Sequence, residues 1–251
     1  MATLVLVALV LSSRSASAQV NTEVLRKRIK DRGASFILEG TFDGHTGNTY
    51  GLTADGLVGG GFAAGRHTAF AFASVDYARL NGVLGTDKSF AHVRYNFELH
   101  RAAWWEAFVQ AQSDAFQLIK IRDLVGTGPR FAAFQDRQLG LFVGFAYLLE
   151  RDIYDPPTAP EIVTPVYARG STYLSAAATL ADGIQAVTTT YFQPRLELLS
   201  DIRVESESGF VFKLTKVLAT SITLTAHYDS NPLPGVLRTD TELKNTLTLA
   251  L

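Results

Sequence analysis

Two pairs of residues have the spacing for acid–base chemistry: His227 with Asp229, and His92 with Glu98. An imidazole oriented by a carboxylate near a protein rim is the least that a lipid- or peptide-modifying enzyme would need. The other histidines, His45, His67 and His100, do not stand at metal-ligand spacing. No Gly-x-Ser-x-Gly, phosphate-binding loop with Lys, His-Glu-x-x-His or EF-hand pattern occurs. The 251 residues contain no cysteine, which removes thiolate catalysis, disulfides and every Cys-based zinc or iron-sulfur site. The sequence therefore indicates no catalytic residue, metal or cofactor, and a rim enzyme stands only as an alternative. Lys plus Arg number 23 against 24 Asp plus Glu, so no basic field exists to hold nucleic acid.

The side chains with the clearest pattern are charges that alternate with apolar residues. From Ser35 onward, period-two alternation recurs over long stretches with almost no 3.6-residue periodicity, which marks an all-β chain. Strands are predicted at Ser35–Asp43, Thr49–Gly60, Thr68–Ala78, Ser89–Leu99, Trp104–Asp114, Leu118–Gly128, Gln138–Glu150, Ser171–Ala181, Gln185–Glu197, Ile202–Thr215, Ser221–Asp229 and Thr239–Leu251, twelve in all. Turn chemistry joins them, as in Thr46-Gly47-Asn48, Asn81-Gly82 and Asp182-Gly183. Sandwich strands usually run about 5 to 6 residues, whereas a tilted strand crossing a bilayer needs about 9 to 11. These are long enough to cross, and the even number suits an antiparallel up-and-down transmembrane β-barrel with both termini on one side. The longest connection, Arg151 to Gly170, then faces the cell exterior.

One face of these strands is apolar, as in Leu139, Leu141, Val143, Phe145, Tyr147 and Leu149, or Leu243, Leu247, Leu249 and Leu251. The other carries Arg94, Glu98, Glu106, Lys120, Arg122, Arg195, Glu197, Arg203, Glu205, Glu207, His227 and Lys244, read here as lining the lumen. Twelve strands enclose more space than the eight whose side chains just fill a barrel, so paired charges and water could occupy it. Trp104, Trp105, Tyr50, Tyr77, Tyr95, Tyr147, Phe192, Phe210 and Tyr228 fall mainly toward strand ends, where amphipathic rings favour the membrane interface.

The front of the chain differs. A short apolar stretch followed by Ala16-Ser17-Ala18 describes a secretory signal over 1–18, and the missing Lys or Arg before it would be explained by a start upstream of Met1. Residues 19–34, rich in Arg and Lys, read as a periplasmic segment, and 35–251 as the barrel.

The turn Thr46-Gly47-Asn48-Thr49, the Arg94-Tyr95 to Phe97 stretch, the strand ending Gly126-Thr127-Gly128, and above all Tyr228-Asp229-Ser230-Asn231-Pro232-Leu233-Pro234-Gly235-Val236 with Thr239-Asp240-Thr241 resemble the YdiY-like salt-induced outer-membrane proteins, domain of unknown function 481. The resemblance covers roughly Ser35 to Leu251. It implies a Gram-negative outer-membrane barrel in contact with lipid and assembled by the barrel machinery through its last strand, with a structural or small-solute-handling role linked to salt or osmotic stress. It supplies no catalytic residue. The terminal Leu251 departs from the Phe on which such barrels commonly finish. A soluble periplasmic barrel holding an apolar ligand is the remaining alternative.

Arginine at Leu141 or Val143 should cost about 2 to 4 kcal/mol in a bilayer and far less near a rim. Equilibrium unfolding in lipid vesicles measures this, and two silent substitutions would mean that the assigned lipid face is wrong.

Overall fold

In a computed structural model, residues 33–46 and 50–250 are described, and they form a closed antiparallel barrel. The signal segment, the basic stretch up to residue 32 and the turn at residues 47–49 lie outside the described residues. The strands are β1 (Gly33–His45), β2 (Gly51–Ala64), β3 (His67–Leu80), β4 (Val83–His100), β5 (Ala103–Asp114), β6 (Ile119–Gln135), β7 (Leu139–Tyr154), β8 (Ile162–Val163), β9 (Tyr167–Ala181), β10 (Ile184–Arg195), β11 (Leu198–Lys213), β12 (Leu218–Asp229) and β13 (Thr239–Ala250). Twelve make the wall in sequence order; the two-residue β8 only adds to the edge of β7 within a connection. The wall closes through Ile37↔Ala250, Leu38↔Leu249 and Glu39↔Thr248 between β1 and β13.

An even number of wall strands puts the beginning of β1 and the end of β13 at one end of the barrel, here the near end. Near-end connections are short: residues 65–66, 101–102, 136–138, 182–183 and 214–217. The far end carries the long ones, 155–166 and 230–238. Expected turn chemistry is present at Asn81-Gly82, where φ of +50° and +81° gives the twist a two-residue hairpin needs. Strands outrun several predicted limits. β2 continues to Ala64, leaving only Gly65-Arg66 as its turn, and β7 continues to Tyr154, so much of the predicted Arg151–Gly170 loop is wall.

The two faces are inverted relative to a soluble protein. Arg94, Arg122 and Glu205 are 2%, 4% and 6% exposed, whereas Leu247 is 50% exposed. Leu141 and Val143 share the outward face of β7 with Phe145, Tyr147 and Leu149. Tyr50, Tyr95, Trp105, Tyr147, Phe192, Phe210 and Tyr228 all point outward. Trp104 does not: it faces inward, its ring edge-on to Phe142 at 6.2 Å, because adjacent residues of a strand take opposite faces. Inside, the β1–β3 side is apolar, with Ile37, Leu57, Phe70 and Phe72 packed together.

Bulky interior side chains fit because glycine faces them. A Cβ on Gly144 would lie 2.0 Å from the Tyr173 ring, and one on Gly128 would lie 1.9 Å from the carbonyl oxygen of Phe145. Beside Gly128, Pro129 has no N–H to give, and the β6–β7 ladder passes from Thr127↔Tyr147 to Arg130↔Gly144 around it.

Gly144→Ala should therefore destabilise the barrel by about 1 to 3 kcal/mol through overpacking. Gly56→Ala, whose Cβ would meet nothing closer than 3.9 Å, should change little. Urea unfolding of the two refolded variants compares them, and equal stability would mean that Tyr173 does not occupy the interior over Gly144.

Candidate functional site

The interior is organised around two carboxylates. Glu150, the last residue of the predicted seventh strand and well inside β7, lies 3.2 Å from Arg122 of β6 and 3.5 Å from Arg169 of β9. It also pairs with Arg203 of β11 and lies 2.7 Å from the Tyr167 hydroxyl. Two residues on, Asp152 takes a two-pronged contact from Arg122 at 2.6 and 3.2 Å and a third from Arg203 at 3.2 Å. Arg203 reaches Asp229 at 3.1 Å, and Arg169 reaches Asp201 at 2.8 Å. Three guanidinium groups and four carboxylates thus share one layer between β6, β7, β9, β11 and β12. Such charges are stable away from water only when each is paired. One space beside this layer, bounded by Gln110, Gln193 and His227 among others, measures about 10 Å³. That is room for about one water.

Nearer the terminal end, Glu106 is the second centre. It lies 3.5 Å from Arg94 and 3.8 Å from Arg130, and it accepts a hydrogen bond of 2.9 Å from the Tyr173 hydroxyl three strands away. Arg130 stacks over Phe142 at 4.1 Å and Arg94 over Phe108 at 4.8 Å, so the cations also rest on aromatic faces. On the remaining side, Lys88 bridges Asp114 and Glu242, both at 3.9 Å, and Lys244 pairs with Asp76 across β1 and β2.

The sequence matches the family described as "Protein of unknown function, DUF481" over residues 41–250. The chain belongs to this family. Among solved structures, the translocator domain of the autotransporter NalP from Neisseria meningitidis matches with a TM-score of 0.51 and 11% identity, covering 91% of each chain. A "Bacterial polysaccharide outer membrane secretin" (TM-score 0.49, 9% identity, 88% of this chain and 99% of that one) and the NanC porin (0.49, 8%, 86% and 97%) are also similar. No curated protein sequence matches. With its apolar exterior and charged interior, this DUF481 barrel is an outer-membrane protein, and the soluble barrel with an apolar interior is set aside.

Of the twelve residues read from sequence as lumen-lining, Arg94, Glu106, Arg122, Arg203, Glu205 and His227 are buried inside the DUF481 barrel. Glu98, Arg195, Glu207 and Lys244 point inward but are only half-buried. Two do not line the lumen. Lys120 is 56% exposed and pairs with Glu161 of the 155–166 connection, because the β6 register shifts between Ile119 and Ile121. Glu197, 52% exposed, sits in the turn between β10 and β11, where it accepts the N–H of Ala168 at 3.0 Å.

The two imidazole–carboxylate pairs also separate. His92 is held between Gln110 at 3.1 Å and Arg94 at 3.2 Å and stacks on Phe90 and Phe108. Glu98, six residues along the same strand, is about 20 Å away at 3.3 Å per residue. Asp229 gives its carboxylate to Arg203 and to the N–H of Asn231, leaving His227 Nδ1 buried without a partner.

Sequence reasoning missed Lys88, Asp114, Arg130, Glu150, Asp152, Arg169 and Asp201. All lie at or just beyond a predicted strand end, and the signal that would have found them is the alternation itself, continued through Glu150-x-Asp152 and Tyr167-x-Arg169.

Glu150→Gln should cost about 3 to 5 kcal/mol because it leaves buried cations uncompensated. Lys120→Ala, which breaks a surface pair, should cost no more than about 1 kcal/mol. Urea midpoints of the refolded variants check this, and equal costs would remove Glu150 from its central place.

Proposed function

We propose that this protein is a closed outer-membrane barrel with a structural or small-solute-handling role exercised at its far-end mouth, and that it is neither a general diffusion pore nor an enzyme. One observation carries this reading. Charged side chains from β6, β9 and β11 converge on Glu150 of β7 inside the barrel, and a space of about 10 Å³ beside them is too small for a solute. An open porin keeps its charges on the wall and water along the axis. Here opposite charges from strands that are not neighbours, Arg203 of β11 and Glu150 of β7, meet in the interior, so permeation past this layer requires buried ion pairs to separate.

The short near-end turns suit the periplasmic side and the long connections the cell exterior, with the apolar belt against lipid and the β13 strand serving the assembly machinery. A part in salt or osmotic stress fits a rigid, closed wall. Against a rim enzyme stands the engagement of Asp229 by Arg203 and of His92 by Gln110 and Arg94.

Planar-bilayer recordings test the reading. The refolded protein should show no steady conductance, and trimming residues 156–161 should leave it silent because the layer lies beneath that connection. Stepwise ohmic openings in the unmodified protein would overturn it.

A further inference from the structure

Above the Glu150 layer, at the far end, two connections from opposite walls of the barrel meet over the lumen. Residues 115–118 come from the β5–β6 side and residues 230–238 from the β12–β13 side, six strands apart around the wall. They enclose a pocket of about 130 Å³ with Arg122, Tyr154 and His227 on its strand side.

Two buried polar groups in this pocket have no protein partner. Gln117, 8% exposed, has a side-chain nitrogen Nε2 without an acceptor, and His227, 7% exposed, has Nδ1 without a partner. Neither vacancy is casual. The Asp114 carboxylate accepts the backbone N–H groups of Phe116 and Gln117 at 2.9 and 3.2 Å, and Leu118 is held at φ +58°, a conformation leucine rarely adopts. The turn is thus fixed with Gln117 directed inward, although a buried donor left unpaired is unfavourable.

We infer that this far-end pocket is a binding site for a small neutral solute carrying adjacent hydroxyl groups, such as a polyol or a terminal sugar unit. The chemistry selects that class. Gln117 Nε2 can only donate, while His227 Nδ1 donates or accepts according to its tautomer, and a hydroxyl group satisfies both. Arg122 is already committed to Asp152 and Asp229 to Arg203, so these charges are neutralised within the protein and are not offered to a ligand ion. Phe116, Pro232 and Leu233 give an apolar wall for the C–H face of such a molecule. The inference deepens the solute-handling reading but concerns the mouth alone, and binding is measurable whether or not the barrel conducts.

Saturation-transfer NMR on the refolded barrel in detergent, with glycerol, glucose, acetate and methylammonium as probes, tests it. Glycerol or glucose should bind saturably. Gln117→Leu should weaken that binding at least tenfold, and so should Leu237→Trp, which fills the pocket from an exposed position and spares the wall. Retained heat-modifiable migration on gels shows that both variants are folded. No saturable binding of either polyhydroxy probe, binding unaffected by both variants, or preferential binding of acetate or methylammonium would overturn the assignment.

Discussion

A single carboxylate, Glu150, neutralises guanidinium groups from three other strands of a closed wall, and the arrangement of the rest of the barrel follows from the need to satisfy it. Twelve strands enclose a space too wide for their own aliphatic side chains to fill. Filling it with long cations, and fixing each between carboxylates or on an aromatic face, yields an interior that is largely polar beside the small apolar cluster of Ile37, Leu57, Phe70 and Phe72. The Glu106 centre repeats the device one layer nearer the termini. Removing one partner would expose the desolvation cost of the others, so the network holds its geometry even if its net contribution to stability is modest.

The lipid-facing exterior imposes the complementary constraint. Every backbone polar group within the hydrocarbon must find a partner in the ladder, which a closed sheet alone provides. The structure meets this with strands of 12 to 18 residues and with glycine where space is shortest, at Gly144 beneath the Tyr173 ring and at Gly128 against the β7 backbone. Interior packing and wall composition are thereby coupled: Tyr173 can reach Glu106 only because Gly144 leaves room for its ring.

The fold was legible in the sequence because alternation is a local signal, and Leu139 through Leu149 display it without help from any other segment. Parity also placed the long connections at one end. Pairings were not legible, because they depend on the order of strands around a closed circle: nothing in the sequence near Lys244 points to Asp76, or near Tyr173 to Glu106. Asp152 and Arg169 were hidden by turn-forming Asp155-Pro156-Pro157, around which the expected strand limits were drawn too narrowly, and Glu150, the last residue of its expected strand, was passed over as an inward charge. Lys120 and Trp104 were misplaced for a related reason: a one-residue shift in register reverses the face a side chain occupies.

The central claim, a lumen sealed at the Glu150 layer, is tested most directly by side-specific thiol labelling, which a chain without cysteine permits cleanly. Ser221→Cys faces the interior on the near side of the layer, and Leu237→Cys is exposed in the far-end connection. An impermeant methanethiosulfonate cation added to the far side of uniformly oriented vesicles should modify the Leu237 variant and leave the Ser221 variant unreacted. Modification of both at comparable rates would contradict a sealed lumen.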